Sequence, residues 1–352
     1  MKVDSKLAWS TAGAQSLSAF GERGRTAEGF GYDGLWSTES AHDPFLPLIA
    51  AAQTTSQLEL GTAIAVAFAR NPMSVAYTAH DIQTLSGGRF ILGLGSQVRP
   101  HIERRFAMPW SRPAARMREF IEAMRAIWSA WSDGERLDFR GDFYSHTLMT
   151  SFFSPEPCQW GPPPIYLAAV GEQMTEVAGA ACDGLMPHPF TTERYLRERT
   201  LPAVERGRRS SGRISKGFSI SLQGLVACGR NQEEMASAIR YVRRQIAFYA
   251  STPAYHQVLE LHGWDDLGRE LNVLSRTQDV ERWARMGDLI DDDVLNAFAV
   301  VAEPDRLGSA IAQRYGDAID RFSFYAPYKH DDNLWTLAID QIHSQSKEPS
   351  AV

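Results

Sequence analysis

The chain has 352 residues, 44% of them hydrophobic and 22% charged, with 36 Lys and Arg set against 42 Asp and Glu for a net charge of −6. That composition supplies a sizeable core and argues against a nucleic-acid or anionic-membrane partner. No apolar run approaches the roughly 20 residues that cross a bilayer, and Met1-Lys2-Val3-Asp4 lacks a hydrophobic leader, so a cytoplasmic protein is expected.

Short apolar runs alternate with longer amphipathic segments along most of the chain. Strands are predicted at Lys2–Asp4, Asp33–Trp36, Leu58–Phe68, Arg89–Leu94, Pro164–Val170, Gly184–Met186, Gly217–Ala227 and Arg321–Tyr325. Between them helical spacing predicts Ser74–Leu85, Arg116–Trp131, Glu172–Cys182, Thr192–Arg209, Glu233–Tyr249 and Asp305–Arg314. The second of these is the clearest, with Met117, Phe120, Ile121, Met124, Ile127 and Trp128 at helical intervals. Eight strands separated by helices imply a parallel sheet. A helix end, a Gly-containing turn and a short strand recur at Ala27 to Trp36, Ala178 to Met186 and, more loosely, Tyr315 to Tyr325. Left-handed glycine caps are expected at these turns. The repetition favours a single α/β domain of the (β/α)8 TIM-barrel class over one doubly wound sheet.

Two segments interrupt the alternation, one at about 133–163, with strand-like Leu137-Asp138-Phe139 and Phe143-Tyr144, the other at about 251–293. They are read as insertions in the βα loops, walls or lids over the catalytic face, because a barrel builds its active site from those loops. The cysteines Cys158, Cys182 and Cys228 are far apart and predict reduced structural thiols.

Several chemical signatures are missing. Gly93-Leu94-Gly95 stops short of a dinucleotide fingerprint, and no phosphate loop, zinc-protease helix or serine-hydrolase elbow occurs. The histidines do not pair at metal-ligand spacing, so no metal is expected. What remains lies at strand ends: Thr38-Glu39-Ser40-Ala41-His42-Asp43, Gly61-Thr62-Ala63-Ile64, Gly93-Leu94-Gly95-Ser96-Gln97, and Ala168-Ala169-Val170-Gly171 running straight into a helix. Exposed N–H groups at that helix start suit a phosphate. His188, between Pro187 and Pro189, is either aimed into a substrate pocket or a capped loop residue. Trp9, Trp110, Trp160 and Trp264 wall an apolar pocket or simply pack.

In this order, from about Ala27 to Tyr325, these segments resemble the luciferase-like monooxygenase superfamily, and its F420-dependent oxidoreductase branch in particular. The resemblance implies a deazaflavin, coenzyme F420, with FMN as the alternative, and a typical homodimer. It implies that Glu39 lies near the cofactor ring or acts as a structural cap. Ala63-Ile64 matches a non-prolyl cis peptide against the ring, and Gly95, Ser96 and Gln97 line the ribityl chain. Ala169, Val170, Gly171 and Met174 hold the phosphate together with Arg104, with Arg105 its near competitor. Many relatives carry His directly after the acidic residue. Here Ser40 takes that place, leaving Glu39 and His42 as the catalytic candidates, with His42 otherwise a loop residue bonded to Asp43. The implied reaction is hydride transfer between F420 and a small organic substrate. With FMN it would be oxygenation by O2, and without the histidine a non-catalytic cofactor-binding barrel. Arg outnumbers Lys 31 to 5, the bias of a GC-rich genome in which F420 is common.

Overall fold

The computed structural model describes residues 1–7, 16–215 and 217–345, so Trp9 lies outside the described residues. The chain gathers into two compact units, one of Asp4–Met186 with Ala203–Ser219, the other of Met1–Val3, Pro187–Pro202 and the described part of Ile220–Val352.

In the first unit β1 (Lys2–Leu7), β2 (Gly34–Ser37), β3 (Glu59–Thr62), its continuation β4 (Ala65–Val66), β5 (Phe90–Gly95), β8 (Ile165–Ala169) and β9 (Gly184–Pro187) follow one another in the sheet. The hairpin strands β6 (Phe139–Arg140) and β7 (Ser145–His146) stand apart as an antiparallel pair. Register places Lys6 beside Trp36, Trp36 beside Gly61, Gly61 beside Ile91, and Gly93 beside Tyr166, all parallel. Residues in register share a face. On that face Trp36, Ile91, Tyr166 and Met186 form a buried cluster, with Ala63, Ile64 and Ala168 packed on it. The helices α1 (Leu17–Gly29), α2 (Leu46–Thr54), α3 (Pro72–Leu85), α4 (Pro113–Ser132) and α5 (Glu172–Ala181) join these strands. The six apolar positions read from the α4 spacing are all buried, and the Trp128 indole donates to the Ala76 carbonyl of α3 at 3.2 Å.

The second unit pairs β10 (Ser219–Ala227) in parallel with β12 (Arg321–Tyr325) and β11 (Ala299–Val301). Helices α6 (Glu193–Tyr195) and α7 (Leu201–Ser210), the latter mostly in the first unit, precede β10, and α8 (Gln232–Ala250) follows it. Then come α9 (His256–Glu260), α10 (Asp265–Ser275), α11 (Arg282–Asp288), α12 (Asp292–Phe298), α13 (Pro304–Tyr315) and α14 (Thr336–Gln345). The 251–293 segment is therefore helical, and Leu259, Leu271, Met286 and Ile290 from it join Val242 and Ile246 of α8 in one core. Taken together, β1, β2, β3, β5, β8, β9, β10 and β12 are the eight strands of a (β/α)8 TIM barrel, with β11 added.

Four expectations need correction. The long strand Leu58–Phe68 is two strands separated by a bulge. The single helix Thr192–Arg209 is α6, a π-helical turn at Leu196–Thr200, and α7. A left-handed glycine stands at Gly31 (φ 82°) but not at Gly184 or Gly316, whose φ is −59°. At the second turn Asp183 does the work instead. Its carboxylate accepts from the Ile165 N–H and from Arg125 and Arg213, each within 2.9 Å. Finally, the hairpin strands lie one to two residues beyond the apolar pairs that predicted them. The Glu119 carboxylate accepts the N–H groups of Asp142, Phe143 and Tyr144, which makes those residues the turn.

Candidate functional site

In the first unit the predicted residues Glu39, Ala63, Ile64 and Gly95 come together around the break between β3 and β4. Gly61 is opposite Ile91, and Ala65 is opposite Leu94, so three residues face two. This is a one-residue bulge, and the Ala63-Ile64 peptide within it is cis, as expected. Thr62 clasps the neighbouring strand: its Oγ1 donates to the Gly93 carbonyl at 2.7 Å and accepts the Gly93 N–H at 2.9 Å. A Cβ on Gly93 would lie 1.8 Å from the Thr62 carbonyl oxygen, so only glycine fits. A Cβ on Gly95 would lie 2.8 Å from Cδ1 of Ile64. The bulge and the end of β5 therefore meet as a close-packed ledge, with the Ile64 side chain over Gly95.

The loop after β2 is fastened to this ledge. The Glu39 N–H donates to the Ile64 carbonyl at 3.3 Å, and the Ala63 N–H donates to Ser37 at 2.7 Å. Glu39 Oε2 accepts from the Val66 N–H at 2.8 Å and from Arg70 at 2.6 Å, and its side chain is only 6% exposed. Arg70 also reaches Asp43 at 3.2 Å. Asp43 in turn accepts from the Phe45 N–H at 2.8 Å. His42 is exposed on the same loop.

Further along, Gln97 adopts φ 60°, and its side-chain oxygen accepts the Val98 N–H. Ser96 and Gln97 are half-buried beyond Gly95. Of the two arginines in the following π-helical turn, Arg104 is exposed, and Arg105 spans to the Ser40 carbonyl at 2.6 Å. After Ala169 and Val170, α5 begins at Gly171 with no side-chain cap, and space is open where a Gly171 Cβ would stand. The first N–H groups of a helix lack internal acceptors and favour an anion; here they include that of Met174, which is half-buried.

Sequence reasoning passed over Thr62, Arg70 and Lys6. Lys6 stands in register with Trp36, and although solvent reaches part of its side chain, desolvation lowers its ammonium to about 8. Charged residues at every second position of β1, Lys2, Asp4 and Lys6, were the available signal. Of Trp9, Trp110, Trp160 and Trp264, the three within the described residues each pack on a neighbour. Trp110 packs edge-on to Phe68, Trp160 lies over Gly88, and Trp264 stacks on His262 at 4.4 Å.

In the second unit His188 is half-buried against two tyrosines. It stacks on Tyr255 at 4.4 Å and meets Tyr249 edge-on at 4.9 Å, and the Tyr249 and Tyr325 hydroxyls are 3.0 Å apart. Its Nδ1 accepts the Phe190 N–H at 3.1 Å. Burial pushes the imidazole down to about 4 and raises the Tyr249 and Tyr255 phenols above their usual range. Among the described residues no acidic, cysteine and histidine side chains cluster as metal ligands, and no helix is long and apolar enough to cross a membrane.

The family model described as luciferase-like monooxygenase matches residues 4–321. The chain belongs to the luciferase-like monooxygenase family. Within it, a protein of Mycobacterium tuberculosis without an assigned activity is 54% identical over 291 residues, 83% of this chain and 85% of that one. An F420-dependent glucose-6-phosphate dehydrogenase of Mycolicibacterium gilvum is 30% identical over 299 residues, 83% of this chain and 80% of its own. Among solved structures, the coenzyme F420-dependent tetrahydromethanopterin reductase of Methanopyrus kandleri superposes with a TM-score of 0.76 at 17% identity, covering 98% of this chain and 99% of that one. That likeness carries the fold of this luciferase-like chain, a TIM barrel, and no more.

Proposed function

We propose that the protein is an F420-dependent oxidoreductase that exchanges a hydride with a small organic substrate. The observation that carries this reading is the ledge: a cis bulge at Ala63-Ile64, clasped by Thr62 and bounded by Gly93 and Gly95, with the uncapped start of α5 at Gly171 for an anionic tail. The F420 dependence of the M. gilvum relative supports the choice of cofactor.

A planar ring fits such a ledge because glycine at position 95 lets the Ile64 side chain lie close against β5. Ala63 and Ile64 would support the ring. Gly95, Ser96 and Gln97 would line the polyol chain, and Ala169, Val170, Gly171 and Met174 would hold the phosphate through backbone N–H groups, with Arg104 or Arg105 beside it. Bound F420 supplies a carbon that gives or takes a hydride. The chain's own contribution is to orient that ring and to manage the accompanying proton. Glu39, paired with Arg70, positions the ledge, and His42, the accessible imidazole on the same loop, is the proton-transfer group in this reading.

Titration of the purified protein with F420 and with FMN, followed by quenching of tryptophan fluorescence, tests it. Saturable F420 binding is expected. FMN binding alone would replace the reading with an oxygenase, and F420 binding without turnover on any carbonyl compound would point to a storage protein.

A further inference from the structure

The His188 wall of the second unit carries information about what the protein takes. The side chain is fixed from three directions. Pro187 and Pro189 restrict its backbone, the Phe190 N–H occupies Nδ1, and Tyr255 lies against one face of the ring. An acceptor at Nδ1 places the imidazole proton on Nε2. Among the described residues no group takes up that Nε2, and the half-buried ring leaves it reachable.

The groups around it are uniform in character. Tyr249 meets the ring edge-on, Tyr255 stacks on it, Phe190 lies 6.0 Å from Tyr255, and Tyr325 is joined to Tyr249 through the hydroxyls. Tyr328, packed on the same hydrophobic core, accepts the Cys228 N–H at 2.9 Å. These contacts are aromatic faces and edges with neutral polar tips. A phosphate or carboxylate needs cationic or clustered N–H donors to replace its water, and none of these ring partners is one. A single neutral donor set among aromatic rings instead matches one uncharged oxygen on a flat or apolar body.

We propose that His188 Nε2–H is the hydrogen-bond donor to the oxygen of an uncharged ketone, aldehyde or secondary alcohol whose aryl or alkyl body packs on Tyr255 and Tyr249. The binding site lies wholly within the second unit and stands without the cofactor.

Acetophenone serves as the probe, with glucose 6-phosphate as its charged counterpart. In the wild-type protein labelled with 15N, acetophenone should shift the His188 Nε2 resonance in a saturable way, and glucose 6-phosphate should leave it unmoved. In His188→Phe, which keeps a ring against Tyr255, calorimetry should show acetophenone affinity reduced about tenfold, the effect of one lost hydrogen bond. F420 affinity in that variant should match the wild type. The proposal is overturned if acetophenone leaves the His188 resonance unchanged, if His188→Phe binds it equally well, or if glucose 6-phosphate competes with it. Acetophenone bound at His188 in a protein that binds no F420 would sink the cofactor reading and leave this one in place.

Discussion

The Arg70 guanidinium lies 2.6 Å from Glu39 Oε2, and the same oxygen accepts the Val66 N–H at 2.8 Å. The acidic residue after β2 is thus a strut between the β2 loop and the bulge, and its proposed effect on chemistry is exerted through the ledge it holds.

The strut can be tested directly. Arg70→Met strands a carboxylate that is 6% exposed with one backbone donor. Breaking a fully buried pair costs roughly 3–5 kcal/mol. Because Arg70 is 20% exposed, water offsets part of that, and about 2 kcal/mol is expected. Glu39→Gln keeps an acceptor for both donors and should cost less. Calorimetric unfolding should therefore rank wild type above Glu39→Gln and Glu39→Gln above Arg70→Met. The reverse order would remove the strut argument.

The ledge makes a second prediction, because its two glycines differ in what they meet. On Gly93 a Cβ runs into backbone at 1.8 Å, whereas on Gly95 it meets the far end of the Ile64 side chain at 2.8 Å. Gly93→Ala should fail to give soluble folded protein. Gly95→Ala should fold, because Ile64 can rotate away, yet bind F420 at least about tenfold more weakly once the ledge is roughened. Fluorescence titration of a Gly95→Ala protein with native-like unfolding decides the point; unchanged affinity would place the ring elsewhere.

Much of this architecture was legible in advance, for identifiable reasons. The α4 helix announced itself because six large apolar residues recur at helical intervals and all of them are buried. The strands were located because short apolar runs stand out between helices. The break at Thr62 to Ile64 was hidden, since Gly61 to Phe68 reads as one continuous β-like run and the clasp on Gly93 joins residues 31 apart. Arg70 was missed for the same reason: its partner lies 31 positions away, and a lone arginine after a strand carries no local signal. Conversely, Trp160 looked like a pocket wall because indoles are large, but it covers Gly88, whose φ of 84° and nearby indole both demand glycine.

The hairpin of the 133–163 segment depends on one carboxylate. Glu119 accepts three consecutive N–H groups, those of Asp142, Phe143 and Tyr144, at 2.6 to 2.9 Å. Glu119→Ala leaves them without that acceptor, a loss of roughly 1–3 kcal/mol that is local rather than global. Hydrogen exchange followed by mass spectrometry should show faster exchange across 139–146, with α4 still protected. Equal exchange in wild type and variant would mean that the turn is set by its own sequence.

His188 supplies a pH dependence whose sign follows from its burial. Its folded value is about 4, below the 6.5 of a free imidazole. Between these two values the unfolded chain binds more protons than the folded one, so stability rises with pH through this window and levels off above it. The slope from one such group is at most about 1.4 kcal/mol per pH unit, and the partial exposure of the ring brings it lower. Urea unfolding of the wild type at pH 5 and pH 7 should give a larger stability difference than the same measurement on His188→Phe, which has no proton to bind there. Subtracting the variant from the wild type removes the contribution of every other titrating group, provided the two fold alike. If the difference between pH 5 and pH 7 is the same in both proteins, His188 titrates as freely folded as unfolded, and the desolvation assigned to its ring is wrong.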